Sequence, residues 1–122
     1  MASYESHLFD PPAPVATVSL SCAESSTVRP GVFLLIDSGA DITLLPKVAV
    51  DGLGVSPSAE KYELKAFDGS RSFAAAVTFD LHFLRKRVRG RYLLTEDAVG
   101  ILGRDVLNHF ALILDGVRQE WA

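Results

Sequence analysis

The chain has 122 residues, 48% of them hydrophobic and 22% charged, with a net charge of −3. That length holds one domain with a real core and not two, and the composition is that of a globular chain rather than a disordered one. The slight acidity gives no overall attraction to nucleic acid or anionic lipid.

Met1 to Pro14 is polar and proline-rich. It lacks a basic start followed by an apolar core, so it reads as a flexible arm of a cytoplasmic protein rather than a signal peptide. Residues 15–122 read as the folded domain, and no apolar run approaches a membrane span. Val15 to Leu20 alternates apolar and small polar residues, a strand pattern. Ser21 to Gly31 carries turn chemistry. Val32 to Ile36 and Ile42 to Leu45 are apolar strands, and Asp51-Gly52 with Gly54 marks a loop. Tyr62 to Phe67 alternates again, and Asp68-Gly69 is the best short hairpin signal in the chain. Ser72 to Phe83 returns from it, with Phe73, Ala75, Val77, Phe79, Leu81 and Phe83 on one face. A turn at Arg85 to Arg87 leads into a strand from Val88 to Thr95. Arg104 to Phe110 has helical spacing, and Ala111 to Leu114 reads as a last strand closed by Asp115-Gly116. Val117 to Trp121 has room for a short extra strand. Many short strands, regular turns and one late helix predict a mostly-β, barrel-like domain.

Asp37-Ser38-Gly39-Ala40-Asp41 lies between two of the apolar runs. A carboxylate there is costly to bury and needs something to hold it. Ile101-Leu102-Gly103-Arg104-Asp105 follows the same plan, an apolar pair and then glycine with charges. Together, from about Val15 to Gly116, these segments resemble the retropepsin-like family of retroviral-type aspartic proteases.

The resemblance implies a small closed β-barrel with one short C-terminal helix, no cofactor and no metal. Metal-free peptide hydrolysis needs a base for water and an acid for the leaving nitrogen, and two adjacent carboxylates sharing one proton fill both roles. The chain holds one such motif, so a dyad would require a homodimer with Asp37 from each subunit. Ser38 and Gly39 would support the active site. Ala40, Asp41, Phe67, Asp68, Gly69, Ser70, Val99 and Ile101 would bind a peptide or protein substrate. Phe67 to Ser70 matches the family's flap, although its tip is less glycine-rich. Arg104 would pair with Asp41 and support the dimer. The chain also continues past the end of the viral enzymes, from Val117 to Ala122.

Plainer readings stand beside these. Asp-Ser-Gly is a common turn sequence. A Ser38 nucleophile with His82 or His109 lacks the Gly-x-Ser-x-Gly elbow. Cys22 is the single cysteine, which excludes an intrachain disulfide, and it has no metal-ligand spacing with His7, His82 and His109. Arg85, Arg87, Arg89 and Arg91 fall on one face at strand period. They suit a phosphate-binding edge or, better given the acidic chain without interleaved aromatics, a solvated hairpin that blocks aggregation. The rival to an endopeptidase is a non-catalytic dimer of the same fold that binds peptides or proteins.

Overall fold

The computed structural model describes residues 1–22, 27–53, 61–65 and 68–122. Ten strands and two single-turn helices follow one another along it. They are β1 (Ala2–Ser3), β2 (Val15–Ser21), β3 (Val28–Ile36), β4 (Leu44–Pro46), α1 (Lys47–Val50), β5 (Lys61–Lys65), β6 (Arg71–Phe83), β7 (Lys86–Thr95), β8 (Gly100–Leu102), α2 (Arg104–Leu107), β9 (Leu114–Asp115) and β10 (Glu120–Trp121).

Seven strands form one sheet in the order β2-β3-β8-β4-β7-β6-β5, and a further β2–β6 pairing closes six of them into a barrel. Alternation explains the closure. Ala16, Val18 and Leu20 of β2, Val32 and Leu34 of β3, and Val77, Phe79, Leu81 and Phe83 of β6 all point into one core. Ala74 and Ala76, on the opposite face of β6, pack with Leu93 in a second, smaller cluster. Phe73, expected on the core face, is 68% exposed because β6 here extends beyond the barrel to pair with β5.

The most constrained place is where β8 threads between β3 and β4. It runs parallel to β3 (Leu34↔Gly100 to Ile36↔Leu102) and antiparallel to β4 (Leu44↔Ile101). A Cβ on Gly100 would stand 2.1 Å from the Leu44 carbonyl oxygen, so only glycine fits.

Several elements depart from the sequence reading. Pro30 and Gly31, expected in a turn, lie inside β3 as a bulge. Gly31 takes φ +70°, and the register with β2 shifts between Val18↔Val32 and Leu20↔Arg29. Ser19, opposite the bulge, pairs with His82 of β6 instead. The expected strand at Ile42 is confined to Leu44–Pro46, and α1 follows unforeseen. Helix α2 ends at Leu107, although i→i+3 bonds from His109 and Phe110 to Val106 and Leu107 extend the turn. The last strand is only Leu114–Asp115, with β10 beside it.

Residues before Val15, read as a flexible arm, carry β1, which pairs with β10, and a bridge between Glu5 and Ala13. Trp121 of β10 packs on Phe83 (ring centroids 5.9 Å apart), tying the terminal sheet to the barrel core. Leu84 and Arg85, with φ of 48° and 65°, turn β6 into β7 in the left-handed conformation that tight hairpins demand. Arg87, Arg89 and Arg91 are exposed along β7, while Arg89 also grips the buried Asp80 with two bonds of 2.8 and 3.1 Å. Arg89 thereby holds the Asp80 carboxyl below the usual carboxylate range, against the opposing effect of burial. Among the described residues, no helix is long and apolar enough to cross a membrane.

Candidate active site

Asp37 is the first residue after β3, and its position is fixed by the strand threaded beside it. Its N–H donates to the Leu102 carbonyl of β8 at 3.1 Å. The chain then turns: Ala40 N–H reaches the Asp37 carbonyl at 3.2 Å, and Gly39 N–H holds Asp37 Oδ1 at 2.9 Å. One carboxylate oxygen is thus anchored by the loop's own backbone. Asp37 is half-buried, and Ser38, Gly39 and Asp41 are exposed.

The start of α2 holds this loop from the far side. Arg104 N–H donates to the Ala40 carbonyl at 2.9 Å, and Arg104 Nη1 to the Ser38 carbonyl at 2.8 Å. The expected Arg104–Asp41 ion pair is not among those formed by the described residues. The guanidinium serves the outward-turned carbonyl of Ser38 instead, and Asp41 stays exposed to water.

Beneath the loop lies a polar network that the sequence did not announce. Thr43 is fully buried. Its hydroxyl donates to Asp105 Oδ1 at 2.6 Å and accepts from Gly103 N–H at 3.0 Å, while its own N–H donates to Asp105 Oδ2 at 3.1 Å. The buried hydroxyl of Thr43 and N–H of Gly103 are both paired, while Asp105 stands at the exposed end of the cluster, and a satisfied polar network of this kind rigidifies its surroundings. The available signal was a threonine inside an apolar run and an aspartate after Arg104. Nothing local said that they meet.

Above the loop, the β5–β6 hairpin forms the other wall. Gly69 takes φ +85° at its tip, as the Asp-Gly pair foretells. The Ser70 hydroxyl, and then its N–H at 2.8 Å, hold the Asp68 carboxyl below the usual range. Phe67 lies outside the described residues.

Between loop and hairpin is an open cavity of about 590 Å³. It gathers Asp37, Gly39, Ala40, Asp41, Ser70, Ile101 and Arg104 from the expected set. Ile42, Leu44, Leu64 and Lys65 also line it, and sequence reasoning had given them no role. Ser38, Asp68, Gly69 and Val99 do not line this cavity. Val99 is half-buried in the bend before β8. Among the described residues, no three His, Cys, Asp or Glu side chains converge as metal ligands. A hydrated carboxylate beside apolar walls and exposed main chain can accept a proton from water next to an extended peptide. One carboxylate alone supplies the base but not the acid.

No protein-family model and no curated protein matches the chain. Among solved structures it is similar to the EIAV protease complexed with the inhibitor HBY-793. The two chains share 21% identity and a TM-score of 0.59, over 80% of this chain and 86% of that one. The fold is therefore retropepsin-like, a closed six-stranded β-barrel of the kind found in a retroviral protease.

Proposed function

We propose that this protein is an aspartic endopeptidase, active as a homodimer in which Asp37 of each subunit forms the catalytic dyad. The observation that carries this reading is the setting of Asp37. It directly follows a barrel strand, its carboxylate is anchored by Gly39 N–H, and it opens on a cavity that also takes in the hairpin. The retropepsin-like fold supports the same reading. In the dyad, one Asp37 carboxylate takes a proton from water as the water oxygen attacks the scissile carbonyl carbon. The other, protonated, supplies the proton needed as the C–N bond breaks and the amine leaves. Gly39 would offer its carbonyl to substrate backbone, and Ala40, Asp41, Ser70 and Ile101 would line the bound peptide. Arg104 would hold the loop in place through Ser38. No cofactor enters this chemistry.

The test is digestion of a peptide library by wild type and Asp37→Asn side by side. We expect cleavage by wild type and none by the variant, with unchanged circular dichroism. Undiminished cleavage by the variant would sink the assignment, and wild type that binds peptides without cutting them would favour the non-catalytic rival. Activity is also expected to be bell-shaped in pH, since only the singly protonated pair has both a base and an acid. It should vanish on dilution to monomer, because one chain holds half a dyad.

A further inference from the structure

Strand β7 has two neighbours, and one of them stops short. It pairs with β6 from Lys86 to Leu93, but β4 covers it only from Leu93 to Thr95. Leu93 turns its N–H to the Thr43 carbonyl at 3.2 Å, away from β6. In an antiparallel ladder, residues that bond the neighbouring strand alternate with residues that turn away from it. Arg91, Arg89 and Arg87 precede Leu93 at that period, so their N–H and carbonyl groups also turn away from β6. Among the described residues, nothing bonds the main-chain groups of Arg87 and Arg89.

Beside this open edge is a gap of about 430 Å³. Val88, Tyr92 and Ile42 give it an apolar lining, and the Tyr92 hydroxyl is already bonded to the Val88 carbonyl at 2.7 Å. Asp41, Asp105 and His109 line it from the active-site loop and the α2 segment, all three exposed. The outer face of the edge is basic, with arginines two residues, or about 7 Å, apart. Asp80 takes two bonds from Arg89, whereas Arg87 forms no ion pair among the described residues. A second copy of this edge is the wrong partner. Two-fold pairing would set arginine against arginine, and like charges directly opposite are destabilising. The charges that repel a copy attract an acidic strand.

We infer that the open edge of β7 takes up an extended acidic polypeptide segment as an added antiparallel strand. Its main chain bonds the N–H and carbonyl groups of Arg87 and Arg89, and its alternate carboxylates lie across from the arginines. The residues between those carboxylates are uncharged, because they turn toward the apolar lining. Asp41 and Ile42 also line the candidate active-site cavity, so a segment held here lies next to it. As a peptidase the protein would thereby favour substrates that carry such a segment near the cleavage site, a consequence that rests on the proposed protease reading.

The test titrates the full-length chain with an eight-residue peptide of alternating Glu and Val, followed by calorimetry. Wild type should bind it, and should not bind the peptide with Lys in place of Glu. Methylation of the peptide's Glu nitrogens keeps every charge but removes the main-chain donors, and should abolish binding. Arg87→Glu, at an exposed position that leaves circular dichroism unchanged, should weaken binding about tenfold. Arg29→Glu, an exposed charge change on β3, should leave it as it was. No binding by wild type would overturn the inference. So would full binding of the methylated peptide, which would mean charge attraction without a strand, or full binding by Arg87→Glu. An eight-nucleotide oligothymidylate that displaces the peptide at equal or lower concentration would assign the edge to nucleic acid instead. The expected binding in a protein that cuts nothing would leave the strand site standing without the protease reading. Cleavage by a protein that binds none of the peptides at this edge would do the reverse.

Discussion

The floor of the candidate site and its roof are built on opposite plans. The floor joins segments far apart in sequence through paired polar groups, the buried Thr43 and Gly103 with the exposed Asp105, beneath a strand threaded between two others. The roof is the β5–β6 hairpin, held by a local ladder, an Asp68–Ser70 turn bond and an exposed Arg71–Glu63 ion pair at 3.0 Å. A satisfied polar network anchored on a buried hydroxyl fixes positions. An exposed ladder with few apolar contacts sits at the low end of local stability. The difference teaches that the placement of Asp37 is a property of the floor, while the roof is free to adapt to what enters the cavity.

The largest expected effect breaks the floor outright. In Gly100→Ala the new Cβ meets backbone at Leu44, which cannot swing away. A loss of about 3 kcal/mol, the upper end for an overpacked core, is expected in urea unfolding. Wild-type stability would mean that the floor is not rigid.

Thr43→Val keeps the volume but leaves the buried Gly103 N–H without a partner, while the exposed Asp105 carboxylate loses one bond. It should cost about 1–3 kcal/mol and lower kcat in the library assay more than it raises KM.

Strand β6 belongs to both regions, and its barrel half carries Asp80. Its folded carboxyl titrates below the ordinary Asp value of about 3.9, so the unfolded chain binds its proton first as pH falls. The stability from Asp80 is therefore complete above about pH 5 and is lost as pH falls through the folded pKa. Thermal melts from pH 6 to pH 2 should fall more steeply for wild type than for Asp80→Asn. Equal slopes would show that the Arg89 pair contributes nothing in solution.

The smallest effect belongs to the roof half of the same strand. Phe73→Ser removes an exposed ring and should change stability by no more than about 0.5 kcal/mol. A cost as large as that of Thr43→Val would erase the contrast between the two regions.

What could be read from sequence follows the same division between local and distant. The Asp37 loop was legible because a charged turn interrupts two apolar runs, and the Asp68-Gly69 turn because its chemistry is local. Pro30-Gly31 misled because the same two residues that make a turn also make a bulge. Only the pairing of Ser19 with β6 decides between them. Arg89 was read as part of a solvated face. The overlooked sign was Asp80 between Phe79 and Leu81, on a strand that proves buried on both faces there. The Thr43–Asp105 contact spans 62 positions and left no local trace. The partner of Arg104 likewise depended on which way the Ser38 carbonyl turned.

The threading of β8 also sets an order of events in time. Arg104 meets the Ser38 carbonyl across 66 positions, and Asp37 N–H waits for Leu102. Non-local pairings of this kind must meet the entropy of closing a long loop before they gain anything, and they form slowly. The β2–β3 and β6–β7 hairpins join neighbours and have no such wait. A chain leaving the ribosome from its N-terminus therefore has most of its strands, and no site, until Arg104 has emerged. In refolding followed by pulsed hydrogen exchange, the amides of β6 and β7 should be protected before that of Asp37.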